Sequence, residues 1–170
     1  GPAWSSEESD LTAVVRVEGL DPDSENPYRV LINGQPIRSA GRTIIRTTTD
    51  QPKVTRIAWG SCWHRWGLVH PQFDRVRKRS QRALLMIGDN AVQGRRGNTG
   101  PARHDVLMRD LQPMWKQFCS EIPVYATWDD HDYAGNDVSG VMEGKLSADE
   151  REDVRDLWMQ TWVNPQYGFE

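Results

Sequence analysis

The residues best equipped for chemistry stand in one stretch, Trp128-Asp129-Asp130-His131-Asp132-Tyr133-Ala134-Gly135-Asn136-Asp137, directly after the apolar run Ile122-Pro123-Val124-Tyr125-Ala126-Thr127. It carries four carboxylates and one imidazole. These are cation ligands by type, and the imidazole can also move a proton. Acids held this close repel and raise one another's pKa, a cost that a bound cation relieves. The plain alternative is an acidic turn that caps the next helix. Two other places end in reactive residues after a short apolar run: Gly60-Ser61-Cys62 and Gly88-Asp89.

The elements that must position these residues can be read from periodicity. Residues 54–59 read as a strand ending at Gly60-Ser61-Cys62. Over residues 68–79, Val69, Phe73 and Val76 recur at helical spacing. Ala83-Leu84-Leu85-Met86-Ile87 is a continuous apolar run, as expected for a strand buried on both faces, and it ends at Gly88-Asp89. Leu107, Leu111, Met114, Trp115 and Phe118 form one helical stripe over residues 103–119, with Pro113 inside it to kink the helix or divide it in two. Residues 122–127 are a third strand. Ser147 with Glu150 forms a capping box ahead of Val154, Leu157, Trp158 and Trp162, and Asn164-Pro165 stops that helix. Strand, helix, strand, helix, strand, loop, helix implies βαβ units and a parallel sheet. Parallel order brings all three strand ends to one edge of the sheet, where ligands bind in such folds.

The first third differs. Residues 12–17 alternate and read as a strand, as do residues 28–32. Asn33-Gly34 is a strong hairpin signal, because both turn positions favour positive φ. Residues 42–48, rich in Ile and Thr, add another strand, and Asp50-Gln51-Pro52-Lys53 reads as a linker. The expected fold is therefore α/β over residues 53–170, preceded by a small all-β segment over residues 1–52.

The totals bound the function. A length of 170 residues with 37% hydrophobic and 26% charged composition suits a globular chain of one domain with a small addition. The net charge of -3 argues against a general nucleic-acid binder. No apolar run reaches membrane-spanning length and none reads as a signal peptide, although Gly1-Pro2 resembles a processed end. Two distant cysteines, Cys62 and Cys119, make a disulfide framework unlikely on spacing alone. Eight tryptophans read first as core side chains, with a stacking surface for sugars or bases as the alternative. A thiolate, carboxylates and an imidazole at one edge suit iron with calcium, manganese or zinc better than a structural cysteine zinc site. Such metals activate water and neutralise phosphate oxygens.

Gly60-Ser61-Cys62, Gly88-Asp89 and Trp128-Asp129-Asp130-His131-Asp132, in that order, resemble the PhoD-like alkaline phosphatase/phosphodiesterase family of calcineurin-like metallophosphoesterases. The resemblance spans nearly the whole chain, and the first fifty residues resemble the end of the family's N-terminal immunoglobulin-like domain. It implies a metallophosphoesterase-like sheet with flanking helices, here its N-terminal part. It also implies hydrolysis of phosphate monoesters or phosphodiesters by a metal-bound hydroxide. Cys62 would be a ligand of the ferric ion, Asp89 would bridge two metals, and Asp130 would take the ligand position that other members fill with Asn. His131 would contact the phosphate or act as general acid, with Asn136 near the substrate. The implied metals are iron with calcium, and zinc or manganese as alternatives. The family's members are usually exported, to the periplasm or the outside. Two departures stand out: Val92 occupies the position of a family tyrosine ligand, and the family's later Gly-Asp-x-His-like segment is missing. The expectation is that further residues or a second chain carrying the C-terminal half complete the site. A non-catalytic member acting as a binding module is the alternative.

The remaining candidates have plainer readings. Cys119 reads as core, and His64, His70 and His104 as surface residues, with His64 closest to Cys62. Asp129 and Asp132 read as capping or supporting residues and Trp128 as packing. Arg75, Arg77, Lys78, Arg79 and Arg82 read as a solvated helix face, and Arg95, Arg96 and Arg103 could attract an anionic substrate.

Overall fold

The computed structural model describes residues 2–9, 11–38, 42–63, 71–90, 99–140 and 146–165. Val92, His64, His70, Arg95 and Arg96 lie outside the described residues, as do Val69 and the rest of residues 64–70.

The centre is a three-stranded parallel sheet of β5 (Ile57–Gly60), β6 (Ala83–Ile87) and β7 (Val124–Thr127), in that spatial order. Helix α1 (Gln72–Lys78) stands between β5 and β6 in the chain, and α2 (Thr99–Asp110) with α3 (Pro113–Cys119) between β6 and β7. Gly60 faces Met86, and Ile87 faces Thr127, so all three strands leave the sheet on the same edge. The parallel arrangement expected from the alternating pattern is therefore present. Pro113 divides the helical stripe as expected, and it does so at the first turn of α3, where its missing N–H has no cost.

One face of the sheet carries the core. Leu84 and Met86 from β6 join Trp63, Phe73, Trp115, Phe118, Ile122, Trp158 and Trp162 in one buried cluster. Phe73 is its hub, stacked on Trp63 at 5.1 Å and edge-on to Trp115 and Phe118 at 5.6 and 5.3 Å. Aromatic edge-to-face pairs of this kind add about 0.5–1.5 kcal/mol each beyond burial. Trp128 packs against the same cluster, 5.8 Å from Trp158. The described tryptophans thus serve mainly as core, while Trp4 and Trp59 are exposed.

The other face corrects an expectation. The apolar run of β6 predicts burial on both sides, yet on the second face Ala83 and Leu85 are only half-buried and Ile87 is exposed, as are Ile57 and Trp59 on β5 and Tyr125 on β7. Among the described residues, the helical side chains of the main buried cluster pack with Leu84 and Met86 on the first face.

The N-terminal part is β-rich but sparse. β1 (Glu25–Pro27) pairs antiparallel with β4 (Ile44–Arg46), and β2 (Leu31–Ile32) with β3 (Gln35–Pro36). The expected hairpin turn is there, with Asn33 at φ 50° and Gly34 at φ 78°. Residues 12–17 form no strand. They are exposed throughout, and an alternating pattern without a surface to bury its apolar half has nothing to hold it extended. This part meets the α/β part through the turn before β7. Ile44 N–H donates to the Ser120 carbonyl at 3.1 Å, and Arg46 Nη1 donates to the Glu121 carbonyl at 2.6 Å.

α4 (Asp130–Tyr133) is a single turn directly after β7, and α5 (Ala148–Thr161) starts at the expected Ser147–Glu150 capping box. α5 buries Val154, Leu157 and Trp158. Cys119, read as core, keeps residue surface exposed at the end of α3, while burial of its thiol pushes it up to about 12. Among the described residues no helix is long and apolar enough to cross a membrane.

Candidate metal centre

At the edge where the three strands end, the turns after β5 and β6 use left-handed backbone. Cys62 has φ 58°, Gly88 φ 98° and Asp89 φ 49°. Non-glycine residues in this region are held there by their surroundings at a cost of about 1–3 kcal/mol each. After β5, the turn at Cys62 folds Trp63 back over Gly60 so closely that a Cβ on Gly60 would stand 2.7 Å from the indole. The Trp63 N–H then donates to the Asp89 carbonyl at 2.7 Å, which ties the end of β5 to the end of β6. After β6, Gly88 allows Asp129 to approach: a Cβ there would meet the Asp129 Cβ at 2.6 Å.

The stretch after β7 is folded by its own acids. Asp129 is the N-cap of α4 and forms a capping box with Asp132. Its Oδ1 accepts from Asp130 N–H at 2.8 Å, and its own N–H donates to Asp132 Oδ2 at 3.1 Å. Asp132 is buried and also accepts from Asn90 N–H at 2.8 Å and Asn90 Nδ2 at 3.1 Å. Burial pushes Asp132 up to about 7, against the pull of the Asn90 and Asp129 N–H groups and with further push from Asp89 and Asp129. Both supporting acids thus cap and tether, as expected.

Asp130 is placed differently. Its Oδ2 accepts from Asp137 N–H at 2.5 Å and its Oδ1 from His131 N–H at 2.8 Å. These two amides, Asp137 first, hold its carboxyl below the usual carboxylate range. Asn136 is exposed, and its amide donates to the Asp137 carboxylate rather than to the cluster.

The outcome is one group: a carboxylate oxygen of Asp89, a carboxylate oxygen of Asp130 and a ring nitrogen of His131 all lie within 4.8 Å of one another. All three are half-buried. Asp89 Oδ1 is fully buried and has no hydrogen-bond partner among the described residues. A buried carboxylate oxygen left unpaired is costly. A cation shared with Asp130, with His131 beside it, removes that cost, so the residues present fit a metal. Cys62, expected as a ligand of the ferric ion, is exposed and is not part of this group, although its strand end is joined to Asp89 through Trp63.

Asn90 was not picked out from the sequence. It is completely buried, and besides its two bonds to Asp132 it donates from Nδ2 to the Thr127 carbonyl at 2.7 Å. It is the bracket that joins β6, β7 and α4. The available signal was a polar residue directly after a strand-ending Gly-Asp. Among the basic residues, Arg103 donates to Gln160 on α5 at 3.1 Å, and His104 is exposed as expected.

Comparison with protein-family models, with curated proteins and with solved structures finds no match to this chain.

Proposed function

We propose that this chain carries part of a metal-dependent phosphoesterase centre of the PhoD-like type, acting on phosphate monoesters or phosphodiesters. The observation that supports this most is the convergence of Asp89, Asp130 and His131 at the carboxyl edge of a parallel sheet, with Asp89 Oδ1 buried and unpaired. The order of the motifs along the chain is the second support.

In this reading Asp89 and Asp130 hold the metal. A bound metal supplies Lewis-acid stabilisation of charge on phosphoryl oxygens and activates water. Asp130 is suited to the task because two backbone amides keep it ionised and fix its orientation. His131 follows it on the same helical turn and holds a proton for the leaving oxygen. Asp129, Asp132 and Asn90 fix that turn against the end of β6. Iron with calcium is the metal pair that the family resemblance favours, and export is the location it favours. The resemblance also favours completion of the metal shell by further residues or a second chain.

A second reading, a binding module without turnover, is favoured by one observation: the Cys62 thiol stands outside the ligand group. Metal analysis and turnover of aryl phosphate mono- and diesters separate the two. The enzymatic reading expects metal uptake and hydrolysis, both lost in Asp130→Ala. Metal uptake without hydrolysis supports the binding module, and wild-type metal content with wild-type hydrolysis in Asp130→Ala removes the site assignment.

A further inference from the structure

The basic run at residues 75–82 does not behave as one solvated face. Arg77 pairs with Asp74 at 2.7 Å and Glu121 at 3.0 Å, Lys78 with Asp74 at 2.6 Å, and Arg82 with Asp23 at 3.2 Å. Arg75 and Arg79 are exposed, and their guanidinium groups have no ion-pair partner among the described residues. Arg75 lies on α1 and Arg79, four residues on, is its C-cap; both line a groove of about 420 Å³ together with Val76 and the β5 residues Ile57, Ala58 and Trp59.

That groove follows a strand edge that no described residue pairs with. β5 is the outer strand of the sheet and pairs only with β6 among the described residues. The opposite outer strand is closed at its centre, where the Asn164 side chain accepts from Ala126 N–H at 3.0 Å and donates to the Ala126 carbonyl at 2.7 Å. Nothing comparable among the described residues covers β5, and Trp59 beside it is 72% exposed. An uncovered edge of this kind templates the addition of another strand.

We propose that the β5 edge takes an extended acidic peptide as an added strand, with its carboxylates on Arg75 and Arg79 and its apolar side chains beside Ile57 and Trp59. The spacing agrees. Residues four apart on a helix are separated by about 6 Å along its axis, and alternate residues of a strand by about 6.8 Å. A helix joining two parallel strands runs back along them, so the two rows lie side by side. A strand alternating acidic and apolar residues presents its acids to one side and its apolar groups to the other. The unpaired charge on α1 selects an acidic occupant over a neutral or basic one. This inference does not depend on the metal centre, which lies at the strand ends rather than along this edge.

The test uses the complete chain and a short fluorescein-labelled peptide alternating Glu and Val, followed by fluorescence anisotropy. Binding is expected to weaken with added salt and to fall more than about tenfold in the Arg75→Glu/Arg79→Glu double variant. Amide hydrogen exchange at residues 57–59 is expected to slow when the peptide is present. A peptide alternating Lys and Val, or the Glu–Val peptide with a central proline, is expected not to bind. The Lys–Val and salt arms need no variant, so a misfolded double variant leaves the test intact. Equal binding of the Lys–Val peptide, or no binding of the Glu–Val peptide, overturns the proposal. Self-association of the chain that protects residues 57–59 and excludes the peptide assigns the edge to a second copy instead.

Discussion

Gly88 lies directly beneath Asp129: a Cβ on residue 88 would stand 2.6 Å from the Asp129 Cβ and 2.7 Å from its Oδ2. This contact joins the end of β6, which carries Asp89, to the start of α4, which carries Asp130 and His131. The geometry of the ligand group therefore depends on a missing side chain. Gly88 is also at φ 98°, a region that L side chains rarely adopt. Gly88→Ala is expected to lose about 2–4 kcal/mol of stability, from backbone strain and overpacking together. It is also expected to weaken metal uptake. Urea unfolding and metal titration of the same preparation check both, and an alanine variant with wild-type uptake would separate this contact from the site.

The ligand group ranks the candidate metal residues. Asp89 and Asp130 are inside it and Cys62 is outside. Asp89→Asn is expected to lower metal affinity more than about tenfold, whereas Cys62→Ser stays within a few fold of wild type. Competition titration with a chromogenic chelator gives both numbers. If Cys62→Ser loses as much as Asp89→Asn, the thiol is a ligand in the loaded state and the turn at residues 61–63 rearranges on loading.

How much of this was legible beforehand depends on the kind of signal. The parallel sheet was legible, because βαβ order follows from periodicity and from Pro113 dividing one helical stripe. The convergence of Asp89 with the 129–132 stretch followed from that topology alone. The partial burial of the second sheet face among the described residues was not legible: a run such as Ala83–Ile87 has the same pattern whether one layer or two cover it. The strand expected over residues 12–17 failed for a related reason, since local alternation forms a strand only where another strand or surface pairs with it. Asn90 and the exclusion of Cys62 were hidden because both depend on side-chain placement after left-handed turns. The single turn α4 was half legible. Asp129 and Asp132 have capping-box spacing, yet acids in metal-site spacing look the same in one dimension.

Asn164 closes the β7 edge with a side-chain amide that mimics a neighbouring strand. Both bonds use backbone groups of Ala126 that would otherwise face outward from the sheet. Asn164→Ala is expected to cost about 1–3 kcal/mol and to raise hydrogen exchange at the Ala126 amide. Unchanged protection at Ala126 would mean that another group covers this edge. Among the described residues the variant also leaves both outer strands without a partner at their centres, so a greater tendency to associate in concentrated solution is expected in light scattering.

Asp132 links the architecture of the site to pH. In the folded chain burial pushes its carboxyl up to about 7, against 3.8 as its ordinary value. Between these two values the folded state keeps a proton that the unfolded state has released, so the folded state binds more protons. Stability therefore falls as pH rises through this window. The contribution is fully present below 3.8 and is lost as pH passes about 7. Asp132→Asn removes the titrating group and with it this part of the slope. It also sets one amide donor against donors that Asp132 now accepts, Asn90 Nδ2 and Asp129 N–H among them, at a cost of about 1–3 kcal/mol. Urea midpoints measured across the window with a chelator present are therefore expected to decline with pH more steeply in the wild type than in Asp132→Asn. Parallel pH profiles for the two proteins would mean that the three N–H donors outweigh burial and keep Asp132 ionised throughout.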